Sequence, residues 1–131
     1  MIICVNLAKA QAPTLQVTNN LGTSILAYFC GDGPGQPPCP IGSARTTSMS
    51  TIPTGTTTFT PGSFTTWGTL TPTVLNGVHF NYTLGDPTPA ITPLCGMTTG
   101  SSISTSFMMS GIPVLITYTV VSPTLIQLTL N

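Results

Sequence analysis

One histidine, two carboxylates and a surplus of hydroxyls are all that this chain offers to acid–base chemistry. A hydrolytic triad would have to join His79 to Asp32 or Asp86 and to one of many Ser or Thr hydroxyls. No Gly-x-Ser-x-Gly elbow exposes any of those hydroxyls, and Asp86 sits in Gly85-Asp86-Pro87, a tripeptide with turn chemistry of its own. Asp32 belongs to a Gly/Pro stretch, so a glycosidase-type pair of Asp32 and Asp86 would join a loop to a turn with no third carboxylate to tune it. Gly31, Gly33 and Gly35 are separated by Asp and Pro and precede no helical pattern, so they form no phosphate cradle. His79 has no ligand partners at metal-binding spacing. The expectation is a protein that is not an enzyme, with no catalytic residues, no metal and no cofactor.

The four cysteines have chemistry of a different kind. Cys4, Cys30, Cys39 and Cys95 lack zinc-like spacing. An even cysteine count in a Thr-, Pro- and Gly-rich chain points to an oxidising, extracellular setting. Cys30 and Cys39 bracket Gly31-Asp32-Gly33-Pro34-Gly35-Gln36-Pro37-Pro38, which has no side chains to build a core of its own. Closing so short a loop by a disulfide is worth roughly 2–3 kcal/mol in the chain-entropy view. Cys30–Cys39 is therefore the expected bridge, leaving Cys4 and Cys95 as a second bridge or as buried thiols; the other two pairings stay open. Asn81-Tyr82-Thr83 is an N-glycosylation sequon, so Asn81 is a candidate for attached glycan.

The elements that would position these residues are strands. Thr and Ser supply more than a quarter of the 131 residues, Gly and Pro about a fifth, and the helix formers Glu and Lys are almost absent. That is a palette of strands and turns. Thr14–Thr18 alternates with Leu15 and Val17 inward. Ser24–Cys30 is apolar at successive positions and reads as a central strand covered on both faces. Residues 44–73 are Thr-rich and cut by Pro53, Pro61 and Pro72, which predicts short solvated edge strands. Asn76-Gly77 predicts a hairpin turn between residues 73–75 and 78–84, with Val78, Phe80, Tyr82 and Leu84 inward. The last third reads as a meander: one strand carries Ile103, Thr105, Phe107 and Met109 on one face and turns at Ser110-Gly111. The longest strand follows over 113–121, and the last has Ile126, Leu128 and Leu130 inward. Eight or nine short strands at this spacing predict an all-β antiparallel β-sandwich, immunoglobulin-like or jelly-roll, with an extended N-terminal strand.

Charge narrows the partners. Lys9, Asp32, Arg45 and Asp86 are the only formally charged side chains, far below the usual quarter of residues. No basic footprint exists for nucleic acid, and no apolar run approaches the roughly 20 residues of a membrane-spanning helix. Near-zero charge favours association, so the surface is expected to be covered by copies of the same chain, by glycan, or by both.

The first twelve residues are the one segment with a distinctive task. Ile3, Val5 and Leu7 fall on one face of a strand and Cys4, Asn6 and Ala8 on the other. Ala8-Lys9-Ala10-Gln11-Ala12-Pro13 then reads as a small-residue connector, so residues 1–12 form an N-terminal strand and linker and 13–131 the sandwich body. Ala8-Lys9-Ala10 also matches a leader-cleavage pattern, which stands as the competing expectation. A strand added to another subunit's sheet supplies main-chain hydrogen bonds plus a row of side-chain pockets, here for Ile3, Val5 and Leu7. Because donor and acceptor surfaces differ, the contact propagates into a filament. An apolar alternating strand, a small linker and a Thr-rich, charge-poor sandwich together resemble the donor-strand-exchanged pilins and fimbrial subunits. The resemblance is one of arrangement. It implies a structural subunit of an extracellular, helical homopolymer that needs no enzyme activity. Two other readings stay open: a secreted carbohydrate-binding sandwich using Trp67, Phe64 and Phe59 as a stacking surface, and a viral jelly-roll structural protein.

Overall fold

The computed structural model describes residues 14–32, 44–68, 71–80, 90–91, 99–109 and 111–131. They form two sheets packed face to face, an all-β sandwich as the sequence predicts. Among the described residues there are ten strands: β1 (Thr14–Asn19), β2 (Ile25–Asp32), β3 (Ala44–Arg45), β4 (Ser50–Ile52), β5 (Gly55–Phe59), β6 (Val74–Phe80), β7 (Ala90–Ile91), β8 (Ser102–Met109), β9 (Ile112–Ser122) and β10 (Leu125–Leu130). One five-stranded sheet runs β5-β1-β10-β9-β8; the other runs β3-β2-β6-β7, with β4 also on β2. All ladders are antiparallel except β1–β10, where the first and last described strands lie parallel from Thr14↔Leu125 to Asn19↔Leu130.

Strict alternation builds the first sheet. Leu15 and Val17 of β1, Val114, Ile116, Tyr118 and Val120 of β9, and Ile126, Leu128 and Leu130 of β10 are all buried. Facing them are Ile25, Ala27 and Phe29 of β2, Ile52 of β4, and Leu75, Val78 and Phe80 of β6. Phe29, Phe59 and Phe64 cluster at one flank, with centroids 4.4 Å (Phe29–Phe64) and 4.7 Å (Phe29–Phe59) apart. Such contacts add to the area term that aromatic burial supplies.

Two expectations need correction. Asn76-Gly77 makes no hairpin turn: β6 runs straight through it, and the β2 ladder shifts register there, with Cys30 opposite Gly77 and Gly31 opposite Leu75. The extra residue is a bulge, and it explains how Leu75 and Val78, an odd number of residues apart, are both buried on the core side. Strand β2 is central in its sheet but is covered on one face only. Leu26 is 45% exposed and Tyr28 is half-buried, because no layer packs outside that sheet among the described residues.

At the broken edge of the second sheet, a side chain takes over from the ladder. Thr46, fully buried between β3 and β4, donates its N–H to Phe29 O at 3.0 Å and accepts the Phe29 N–H on Oγ1 at 3.1 Å. Where Gly31 passes Pro72 and Val74 there is no room for a Cβ.

Candidate functional site

Of the triad and carboxylate-pair candidates, His79 and Asp32 lie on described strands, at well-separated positions of one ladder. His79 lies on β6 opposite Tyr28, whereas Asp32 ends β2 opposite Val74. Four residues of strand separate Tyr28 from Asp32, about 13 Å. Asp86 lies outside the described residues, as do Asn81, Cys4, Cys39, Cys95 and the strand residues Ile3, Val5 and Leu7. Cys30 is buried on β2. Among the described residues no group of three or more His, Cys, Asp or Glu side chains is placed to hold a metal ion, and no helix is long and apolar enough to cross a membrane.

Trp67 is half-buried rather than displayed. Its indole N–H donates to Pro61 O at 2.9 Å, its ring stands edge-on to Phe64 at 5.6 Å and 85°, and it packs against the core. Phe59 and Phe64 are buried. The three aromatics of the sugar-stacking reading are thus committed to the interior or its margin.

What the fold does present is a sheet edge. Strand β8 closes the first sheet, and among the described residues it pairs only with β9. The ladder's polarity follows from neighbouring bonds. Leu115 exchanges both main-chain bonds with Asn131, while Val120 accepts from Gly100 and donates to Ser101 O. Odd-numbered β9 residues therefore aim their N–H and C=O at β10, and even-numbered ones at β8. By the alternation of an antiparallel ladder, Ile103, Thr105, Phe107 and Met109 bond to β9. Ser102, Ser104, Ser106 and Met108 aim their main-chain groups away from the sheet. Consistent with this, Ser102 and Ser104 sit in the closer, non-hydrogen-bonded pairs, where their hydroxyls meet Thr119 at 2.8 Å and Thr117 at 2.9 Å.

Among the described residues the edge is long and undefended. Natural edges are usually blunted by shortness, proline, charge or a bulge. Strand β8 has eight residues, Ser-Ile-Ser-Thr-Ser-Phe-Met-Met, with no proline and no charge, and its register with β9 is unbroken. The opposite edge of this sheet, β5, is five residues long, and β3 and β7 have two each. Among the described residues the inner face is also less covered here. The inward residues of β9 from Val114 to Val120 are essentially inaccessible, but on β8 Ile103 and Met109 are half-buried and Thr105 is exposed on that same face.

Behind the edge, the outer face of the sheet is neutral and polar. Thr56, Thr18, Thr129, Thr117 and Ser104 form one cross-strand row, and Thr58, Gln16, Gln127, Thr119 and Ser102 the next. Thr18 and Thr56 hydroxyls meet at 3.0 Å, and Gln127 donates to Gln16 at 2.8 Å. Sequence reading picked out the Thr-rich segments but not the edge, because the alternation of β8 looks like that of any paired strand. Compared with protein-family models, with curated proteins and with solved structures, the chain matches none.

Proposed function

We propose that this protein is a structural subunit of an extracellular filament, in which residues 2–8 of one copy add a strand to the free edge of β8 in the next. The observation that carries the reading is β8 itself: among the described residues, eight residues of unblunted edge beside an inner face on which Ile103 and Met109 are half-buried and Thr105 is exposed. An added strand accepts the outward main-chain groups of Ser102, Ser104 and Ser106, and Ile3, Val5 and Leu7 extend the core past Ile103 and Thr105. Cys4 then faces the outer side of the sheet. Near-absence of charge supports the reading, since nothing holds the copies apart. The contact is head-to-tail, so it propagates.

Deleting residues 1–10 tests this reading. The full chain is expected to form fibres by electron microscopy and high-mass species in light scattering, and the truncated chain a monomer with the same β-sheet circular dichroism. Normal polymerisation by the truncated chain would falsify the reading. The half-buried, hydrogen-bonded Trp67 gives the carbohydrate-binding alternative no support.

A further inference from the structure

The far end of the β8–β9 hairpin is apolar on both of its faces, and strand addition at the β8 edge does not account for that. Its last two cross-strand pairs are Met108↔Pro113 on the outer face and Met109↔Ile112 on the inner face, with Gly111 at φ 78° just before Ile112. Ile112 is 62% exposed, Met108 50% and Leu115 45%, while Val114, between Ile112 and Ile116 on the inner face, is fully buried. Full burial ends at Val114; beyond it Met109 is half-buried against the core and Ile112 stands exposed. Among the described residues, three of the six large apolar side chains most exposed to solvent lie on this one hairpin end; Leu26, Met49 and Val121 are elsewhere.

We propose that this tip dips into the interfacial region of a neutral lipid bilayer. A protein surface laid against the sheet covers one face of a hairpin, and a strand added at β8 turns its apolar row inward. Either leaves Met108, Pro113 and Leu115 or else Ile112 in water. An apolar medium that surrounds a narrow tip covers both faces at once. The unpaired main-chain groups along β8 set the depth, because open strand edges are not tolerated in the hydrocarbon core. The tip therefore sits at the headgroup–acyl boundary, roughly 5–10 Å deep. No charged side chain follows Asp86 in the sequence, so the attraction is apolar and does not depend on anionic headgroups. This inference stands apart from the filament reading and is made for the monomer, whose β8 edge is open among the described residues.

The test is flotation of the full chain with vesicles of pure phosphatidylcholine at low and high salt. The chain is expected to float with the vesicles equally at both. A Met108→Ser/Ile112→Ser double variant should lose on the order of tenfold in vesicle partitioning, with unchanged circular dichroism, while Leu26→Ser on the other sheet keeps it. In a second variant, Ile112→Trp, emission should shift to the blue on adding vesicles. The proposal is overturned if the full chain does not float, if the double variant floats as well as the parent, or if flotation requires anionic lipid and vanishes in salt. A double variant that loses self-association, from a parent that never binds vesicles, would instead assign the tip to a second copy.

Discussion

The hydroxyls of Ser104 and Thr117 meet at 2.9 Å across the last ladder of the first sheet, and beyond Ser104 no further strand follows among the described residues. The outward row of β8 is thus tied back to its own sheet through side chains while its main-chain groups stay available. That separation lets the edge be altered without touching the fold.

Thr46, between β3 and β4, ties the broken edge of the second sheet to β2. Thr46→Val keeps the shape but leaves the buried Phe29 N–H without its 3.1 Å acceptor. We expect a loss of about 1–3 kcal/mol in urea unfolding, with Thr46→Ser restoring most of it. Equal stability of the Val variant would show that the hydroxyl does not replace the ladder there.

Tyr118 is fully buried, and among the described residues its hydroxyl has no hydrogen-bond partner. Tyr118→Phe is expected to be neutral or to stabilise by about 1 kcal/mol. Burial, with a smaller contribution from Cys30, raises its pKa well above the ordinary 10.0. A phenol whose pKa is raised by folding keeps its contribution below the unfolded value and loses it as pH rises above it. Stability should therefore fall above about pH 10 by up to ~1.4 kcal/mol per pH unit from this group. The Phe variant should show a correspondingly shallower alkaline slope in denaturant titrations at successive pH values.

Gly31 is held by a close approach rather than by its backbone angle. A Cβ there would press on the Val74 carbonyl and lie 2.7 Å from the Pro72 Cβ. Gly31→Ala should cost about 1–3 kcal/mol by overpacking, seen as a lowered melting temperature, whereas Gly62→Ala, with its nearest neighbour at 3.7 Å, should change little.

Much of the sandwich is legible in the sequence because β1, β9 and β10 alternate with period two and one face of each is buried. The misreadings arise where long-range partners decide. Asn-Gly suits a hairpin turn, yet β2 offers a continuous partner on both sides of it, and the pair becomes a bulge. The apolar outer positions Leu26 and Tyr28 make β2 look doubly covered, though its centrality is in the hydrogen-bonding direction alone. The parallel closure of β1 on β10 joins opposite ends of the body, so no local pattern announces it. The edge status of β8 is hidden for the same reason: among the described residues it depends on what does and does not lie beside it.

The central claim, that one copy's N-terminal strand pairs with another's β8 edge, is tested most directly by mixing two half-defective chains. One lacks residues 1–10 and keeps the acceptor. The other is the full chain with Ser104→Pro and Ser106→Pro, which removes two outward N–H groups while sparing the ladder to β9. Each alone should be a folded monomer, and an equimolar mixture should give a one-to-one dimer and no fibres by light scattering. Fibres from the proline variant, or a mixture that stays monomeric while the full chain polymerises, would contradict the assignment of β8 as the acceptor.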